Sequence, residues 1–136
     1  MKKADLKTLP REVTDLFSKI MKSLKDEIFA VILYGSYAVG KQTPRSDIDI
    51  CIVVGSHKKE ILDKVFKKIL IICGENEKYD IKMFEEMPLK LKLEVLNEGV
   101  ILYAKEEKEL DFIRHKYIKI WNDQSSVKLG YVLPVR

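Results

Sequence analysis

The sequence predicts an α/β (α+β) fold, a small mixed β-sheet with helices packed on it. Three observations point there. Helix-period and strand-period segments alternate along the chain. The strand candidates are β-branched runs that stop at glycine. The helix candidates repeat apolar residues every three or four positions, so each has one apolar face. With 136 residues, 46% of them hydrophobic, there is enough chain to bury a core without staples. A single domain over 1–136 is expected, its core spanning about 10–105 and a C-terminal helix and tail filling 106–136.

The elements follow in order. Thr8 can cap a first helix with Pro10 in its opening turn, and Val13, Leu16, Phe17, Ile20 and Leu24 line its apolar face. Ile28 to Tyr34 reads as a buried strand ending at Gly35. After a short polar connection, Asp47 to Val54 is a second strand stopped by Gly55. These two strands could pair antiparallel or cross over steeply. Ser56 can cap the next helix, whose stripe is Ile61, Leu62, Val65, Phe66, Ile69 and Leu70, and Gly74 closes it. Tyr79 to Phe84 is a third strand.

From Pro88 the signals conflict. Leu89, Leu91, Leu93 and Val95 alternate at a strand period, whereas Pro88 and Gly99 are helix punctuation, and helix is the reading taken. Val100 to Tyr103 is a last short strand. Glu106 to about Trp121 is a helix with acidic residues at its front and Lys116 and Lys119 at its back. The last dozen residues read as a tail.

Composition removes several classes of function. No apolar run approaches the roughly 18 residues of a membrane span, and the N-terminal lysines are not followed by a signal-peptide core. Cys51 and Cys73 lack metal spacing and read as free thiols in a reducing cytoplasm. The net charge of +4 suits an anionic ligand such as a nucleotide. It falls short of the concentrated basic patch of a nucleic-acid binder.

The chemistry gathers between Gly35 and Asp49. Residues two apart on a strand share a face, so Asp47 and Asp49 project together while Ile48, Ile50 and Ile52 point the other way. Two adjacent carboxylates repel unless a cation lies between them, and Mg²⁺ prefers such oxygen ligands with phosphate. A solvated strand entry is the bland alternative for the pair taken alone. The Gly-Ser turn ten residues upstream reverses that balance. Gly35 ends a strand where φ > 0 or close ligand approach is wanted, and Ser36 offers a hydroxyl and an N–H to phosphate, followed by the N–H groups of Tyr37 and Ala38.

Asp80 is the best candidate for a third carboxylate, with a salt bridge or strand-end solvation as its structural alternative. Glu85 and Glu86 read as exposed. Lys41, Arg45 and Lys82 are the nearest basic residues, each equally explained as surface. His57 reads as a helix-start residue, His115 as helix surface, and Tyr117 and Trp121 as packing residues.

Gly35-Ser36, ten residues and then Asp47-Ile48-Asp49 resembles the signature of the polymerase β-like nucleotidyltransferase superfamily. The Ser46-Asp47-Ile48-Asp49-Ile50 context and short length are most similar to its minimal nucleotidyltransferases, stand-alone domains commonly encoded beside a small helical HEPN protein. The resemblance covers roughly Leu16 to Lys105, including Gly99-Val100-Ile101-Leu102-Tyr103.

It implies a polymerase β-like fold, and a site in which Gly35, Ser36, Lys41 and Ser46 bind the nucleotide. Asp47, Asp49 and Asp80 would hold metal, with Asp80 also activating the acceptor hydroxyl. Two Mg²⁺ ions and ATP as donor are the implied cofactor and substrate. The implied partner is a HEPN toxin, AMP-modified on tyrosine or neutralised, and an oligomer or hetero-complex is expected. Many relatives carry arginine where Val39 stands here. A catalytically weak antitoxin that acts by binding is the second reading, and a small-molecule or RNA nucleotidyltransferase the third.

Overall fold

The computed structural model describes residues 1–128, with side chains through Gln124. A five-stranded mixed sheet divides two helical layers. In chain order its elements are β1 (Lys2–Lys3), α1 (Arg11–Leu24), β2 (Ala30–Tyr34), β3 (Ile48–Val53), α2 (Lys59–Cys73), β4 (Tyr79–Met83), α3 (Leu89–Glu98), β5 (Val100–Ala104) and α4 (Glu107–Lys128). The strand order is β1-β5-β2-β3-β4. β2 runs antiparallel to both β3 and β5, whereas β1–β5 and β3–β4 are parallel pairs. The antiparallel return of β3 against β2 settles the connection that the sequence left open.

Strand alternation sorts the core into two faces. Val31, Leu33, Ile48, Ile50 and Ile52 pack under α1 and α2, against Val13, Leu16, Ile20, Leu62, Val65 and Ile69. Ala30, Ile32, Tyr34, Cys51 and Val53 face α3 and α4, against Val95, Leu96 and Leu110. Each large aliphatic residue buried this way contributes about 1.5–3 kcal/mol. Cys51 and Cys73 are free thiols. No helix among the described residues is long and apolar enough to cross a membrane.

Several local expectations change. Thr8 does not cap α1: its hydroxyl donates to the Asp5 carbonyl at 2.8 Å, and Pro10 stands at the cap position. A proline there presets the backbone φ for entry into the helix but has no side-chain acceptor, so α1 starts without a side-chain cap. Ser56 lies too early to cap α2, which starts at Lys59, and its hydroxyl accepts the Lys58 N–H instead. His57 accordingly precedes that helix. Pro88 and Gly99 bracket α3 as helix punctuation. Glu85 is half-buried, accepting the N–H groups of Val54 and Gly55 at 3.2 and 2.9 Å, and so ties off the exit of β3. Tyr117 packs edge-on against Phe84. Residues 125–128 of the expected tail continue α4, and 129–136 lie outside the described residues.

Candidate active site

Three strands set three side chains in a row on the α3–α4 side of the sheet. Tyr34, the last residue of β2, stands opposite Asp49 of β3. Asp49 in turn stands beside Asp80 of β4, its partner in the parallel ladder. Asp47 immediately precedes β3, is exposed, and its charge acts on Asp49. The strands deliver Asp49 and Asp80 side by side because the buried isoleucines on the opposite face lock the register.

Gly35 is required at the end of β2 on two counts. Its φ of +72° is a conformation L side chains avoid, and a Cβ there would overlap the Asp49 Oδ2. The Asp49 carboxylate therefore lies directly against the backbone of the Gly-Ser turn. That turn is a single 3₁₀ turn, Gly35–Tyr37, which the Ala38 N–H closes onto the Gly35 carbonyl at 3.1 Å. The Lys41 N–H then reaches back to the Ser36 carbonyl at 3.0 Å, folding the loop over the turn.

Electrostatics single out Asp49. Asp49 has its carboxyl pushed up to about 6, first by burial and then by the charge of Asp80. Asp47 and a hydrogen bond with Asp80 push the same way, and Lys82 opposes them. The Lys82 Nζ sits 2.8 Å from Asp80 Oδ2, both side chains about half-exposed. The Tyr34 hydroxyl is buried and has no hydrogen-bond partner among the described residues. Burial first, and the Asp49 and Asp80 charges next, push its phenol well above its ordinary value. An unpaired buried hydroxyl costs about 1–3 kcal/mol.

The structure thus brings Gly35, Asp49 and Asp80 together, with Ser36 in the adjoining turn. Lys41 and Arg45 lie on the exposed loop that joins β2 to β3. The Ser46 hydroxyl accepts the Thr43 N–H at 2.8 Å and so shapes that loop. Lys82 stands closer to the carboxylates than its surface reading allowed. Its position two residues from Asp80 on one strand was the available signal. Tyr34 carried no such signal, because its place opposite Asp49 follows from an antiparallel register.

Known proteins share this fold and part of this sequence. The family model described as "Polymerase beta, Nucleotidyltransferase" matches residues 18–108, which span β2, the Gly-Ser turn and all three aspartates. The chain belongs to this nucleotidyltransferase family. A curated relative in Methanocaldococcus jannaschii, named "Putative protein adenylyltransferase", is 40% identical over 97 residues, covering 71% of this chain and 72% of the relative. One similar crystal structure is a toxin-antitoxin with AMP-PNP: TM-score 0.65, 20% identity, 83% of this chain and 92% of that one covered. Another is a tri-AMPylated Shewanella oneidensis HEPN toxin in complex with an MNT antitoxin: TM-score 0.62, 17% identity, 86% and 92% covered. At these identities the likeness is one of fold.

A nucleotidyltransferase must manage the negative charge of a nucleoside triphosphate, and the donor set here fits a hard divalent cation. The groups are oxygen ligands only, and burial together with the neighbouring Asp80 charge disfavours an ionised Asp49 without a counter-charge. Among the described residues no three acidic, imidazole or thiol groups already form a closed cage. Asp80 instead pairs with Lys82.

Proposed function

We propose that this nucleotidyltransferase moves AMP from ATP to a hydroxyl of a partner protein. The partner is a small helical HEPN-type toxin, the acceptor a tyrosine, and this chain the antitoxin of the pair. The observation that carries the reading is Asp49 beside Asp80, with the Asp49 carboxylate against the Gly35 turn. The 40% identical relative named for protein adenylyl transfer supports AMP as the group moved and protein as the acceptor class. The toxin–antitoxin structures of the same fold support the partner. The work belongs to the cytoplasm, where ATP is available and the two free thiols persist.

Gly35 and Ser36 would receive the triphosphate, with Lys41 and Ser46 on the loop beside it. Asp47, Asp49 and Asp80 would hold Mg²⁺, which when bound neutralises the phosphates and stabilises the charge that develops on them. Asp80 takes the proton of the acceptor hydroxyl as its oxygen bonds to the α-phosphorus. The bond from that phosphorus to the β-phosphate bridging oxygen breaks, and pyrophosphate leaves. Asp80 suits this role because it lies on β4, the edge strand of the described sheet, where an acceptor can approach.

The test is a lysate carrying the partner, incubated with α-phosphate-labelled ATP and Mg²⁺. Wild type is compared with Asp47→Ala/Asp49→Ala. A protein band labelled by wild type alone is expected. Label in RNA or in a small molecule would overturn the protein acceptor. An unlabelled partner held equally by both versions would establish neutralisation by contact instead.

A further inference from the structure

Among the described residues, Lys82 pairs with one of the candidate metal-binding carboxylates, and its role reaches beyond a surface charge. It projects from β4 two residues after Asp80 and so shares that residue's face. Its ammonium stands 2.8 Å from Asp80 Oδ2, the contact distance of a fully formed ion pair. Asp80 in turn lies next to Asp49 across the parallel ladder. A single positive charge therefore occupies the cation side of an acidic pair that would otherwise repel. We propose that Lys82 is a resident counter-ion that competes with divalent metal for Asp80 and yields the carboxylate when metal arrives together with nucleotide.

The physical basis is competition for one acceptor. A carboxylate oxygen engaged by an ammonium at 2.8 Å cannot accept a metal in the same direction without moving the ammonium away. Metal alone must break the ion pair and leave Lys82 facing a dication at short range, which is repulsive. Metal carried by a triphosphate is different. The phosphates bring negative charge to which the released ammonium can turn, so the ion pair is exchanged rather than lost. Binding of metal and nucleotide becomes mutually reinforcing, as linkage requires. The site would thus favour the metal–nucleotide complex modestly over free metal.

The inference rests on reading Asp49 and Asp80 as metal ligands, and the experiment separates the two. Binding of Mn²⁺ to the full chain is measured calorimetrically, alone and with α,β-methylene ATP, for wild type, Lys82→Met, Lys82→Arg and Asp80→Asn. Far-UV circular dichroism verifies that each variant is folded. Lys82→Met is expected to bind Mn²⁺ alone about three- to tenfold more tightly, a range suited to removing one partly screened charge at short distance. It should also lose most of the enhancement that the nucleotide analogue gives wild type. Lys82→Arg should keep both properties.

Unchanged or weaker Mn²⁺ binding by Lys82→Met, with Asp80→Asn clearly weakened, would overturn the counter-ion role alone. Unchanged binding by Asp80→Asn would remove the ligand reading, and this inference with it.

Discussion

At the scale of single residues, the site trades stability for chemistry at Asp49. The folded state holds the Asp49 proton more tightly than the unfolded chain does, since its carboxyl is raised from 3.8 to about 6. Stability linked to that proton is full below about pH 4 and is lost as pH rises through about 6. Asp49→Asn does not titrate and keeps the shape. Its melting temperature should match wild type near pH 4 and exceed it by about 3–6 °C at pH 7.5, while AMP transfer falls by at least about a hundredfold. Equal melting temperatures at both pH values would refute the burial argument. Gly35→Ala should fail in the opposite sense. The left-handed backbone alone costs about 1–2 kcal/mol, and the added methyl displaces the Asp49 carboxylate. Denaturant unfolding should show the loss of stability, and labelled-ATP transfer the loss of activity.

At the scale of elements, what could be read in the chain depended on how local its cause is. The β2 and β3 runs, the α2 stripe with its Gly74 exit, and β5 announce themselves through β-branched residues, period and punctuation. In α3 the alternation of Leu89, Leu91, Leu93 and Val95 imitated a strand, yet Pro88 and Gly99 bound a ten-residue helix that buries Leu93, Val95 and Leu96. The Gly35 and Asp49 juxtaposition was legible as spacing. The Asp49–Asp80 pairing was not, because it needs a parallel crossover through α2.

The sequence carries no sign of β1, because two exposed lysines join β5 through backbone bonds alone. The partial burial of Glu85 is hidden for a related reason: its partners, the Val54 and Gly55 amides, are 31 and 30 residues away. Glu85→Ala should cost about 1–2 kcal/mol and speed hydrogen exchange at those two amides. Activity should hold, since Glu85 closes the end of β3 remote from Asp49. A drop in transfer as large as that of Asp49→Asn would contradict this separation.

At the scale of the molecule, one sheet is shared by both helical layers, so neither layer's core can open without exposing the other. Ile20 lies fully buried in one layer and Leu96, only 1% exposed, in the other. Ile20→Ala and Leu96→Ala should each cost about 2–5 kcal/mol, within a single transition. Circular dichroism and Trp121 fluorescence should report that transition at the same denaturant midpoint. Separate midpoints would divide the chain into two folding units. β4 has a further consequence at this scale. Its outer side is unpaired among the described strands, and a bare strand edge invites a second chain to add itself. Asp80 and Lys82 put alternating charge on that edge. Residues read as serving metal and nucleotide would therefore also guard an exposed edge, and variants stripped of both charges are expected to aggregate more readily in a light-scattering assay.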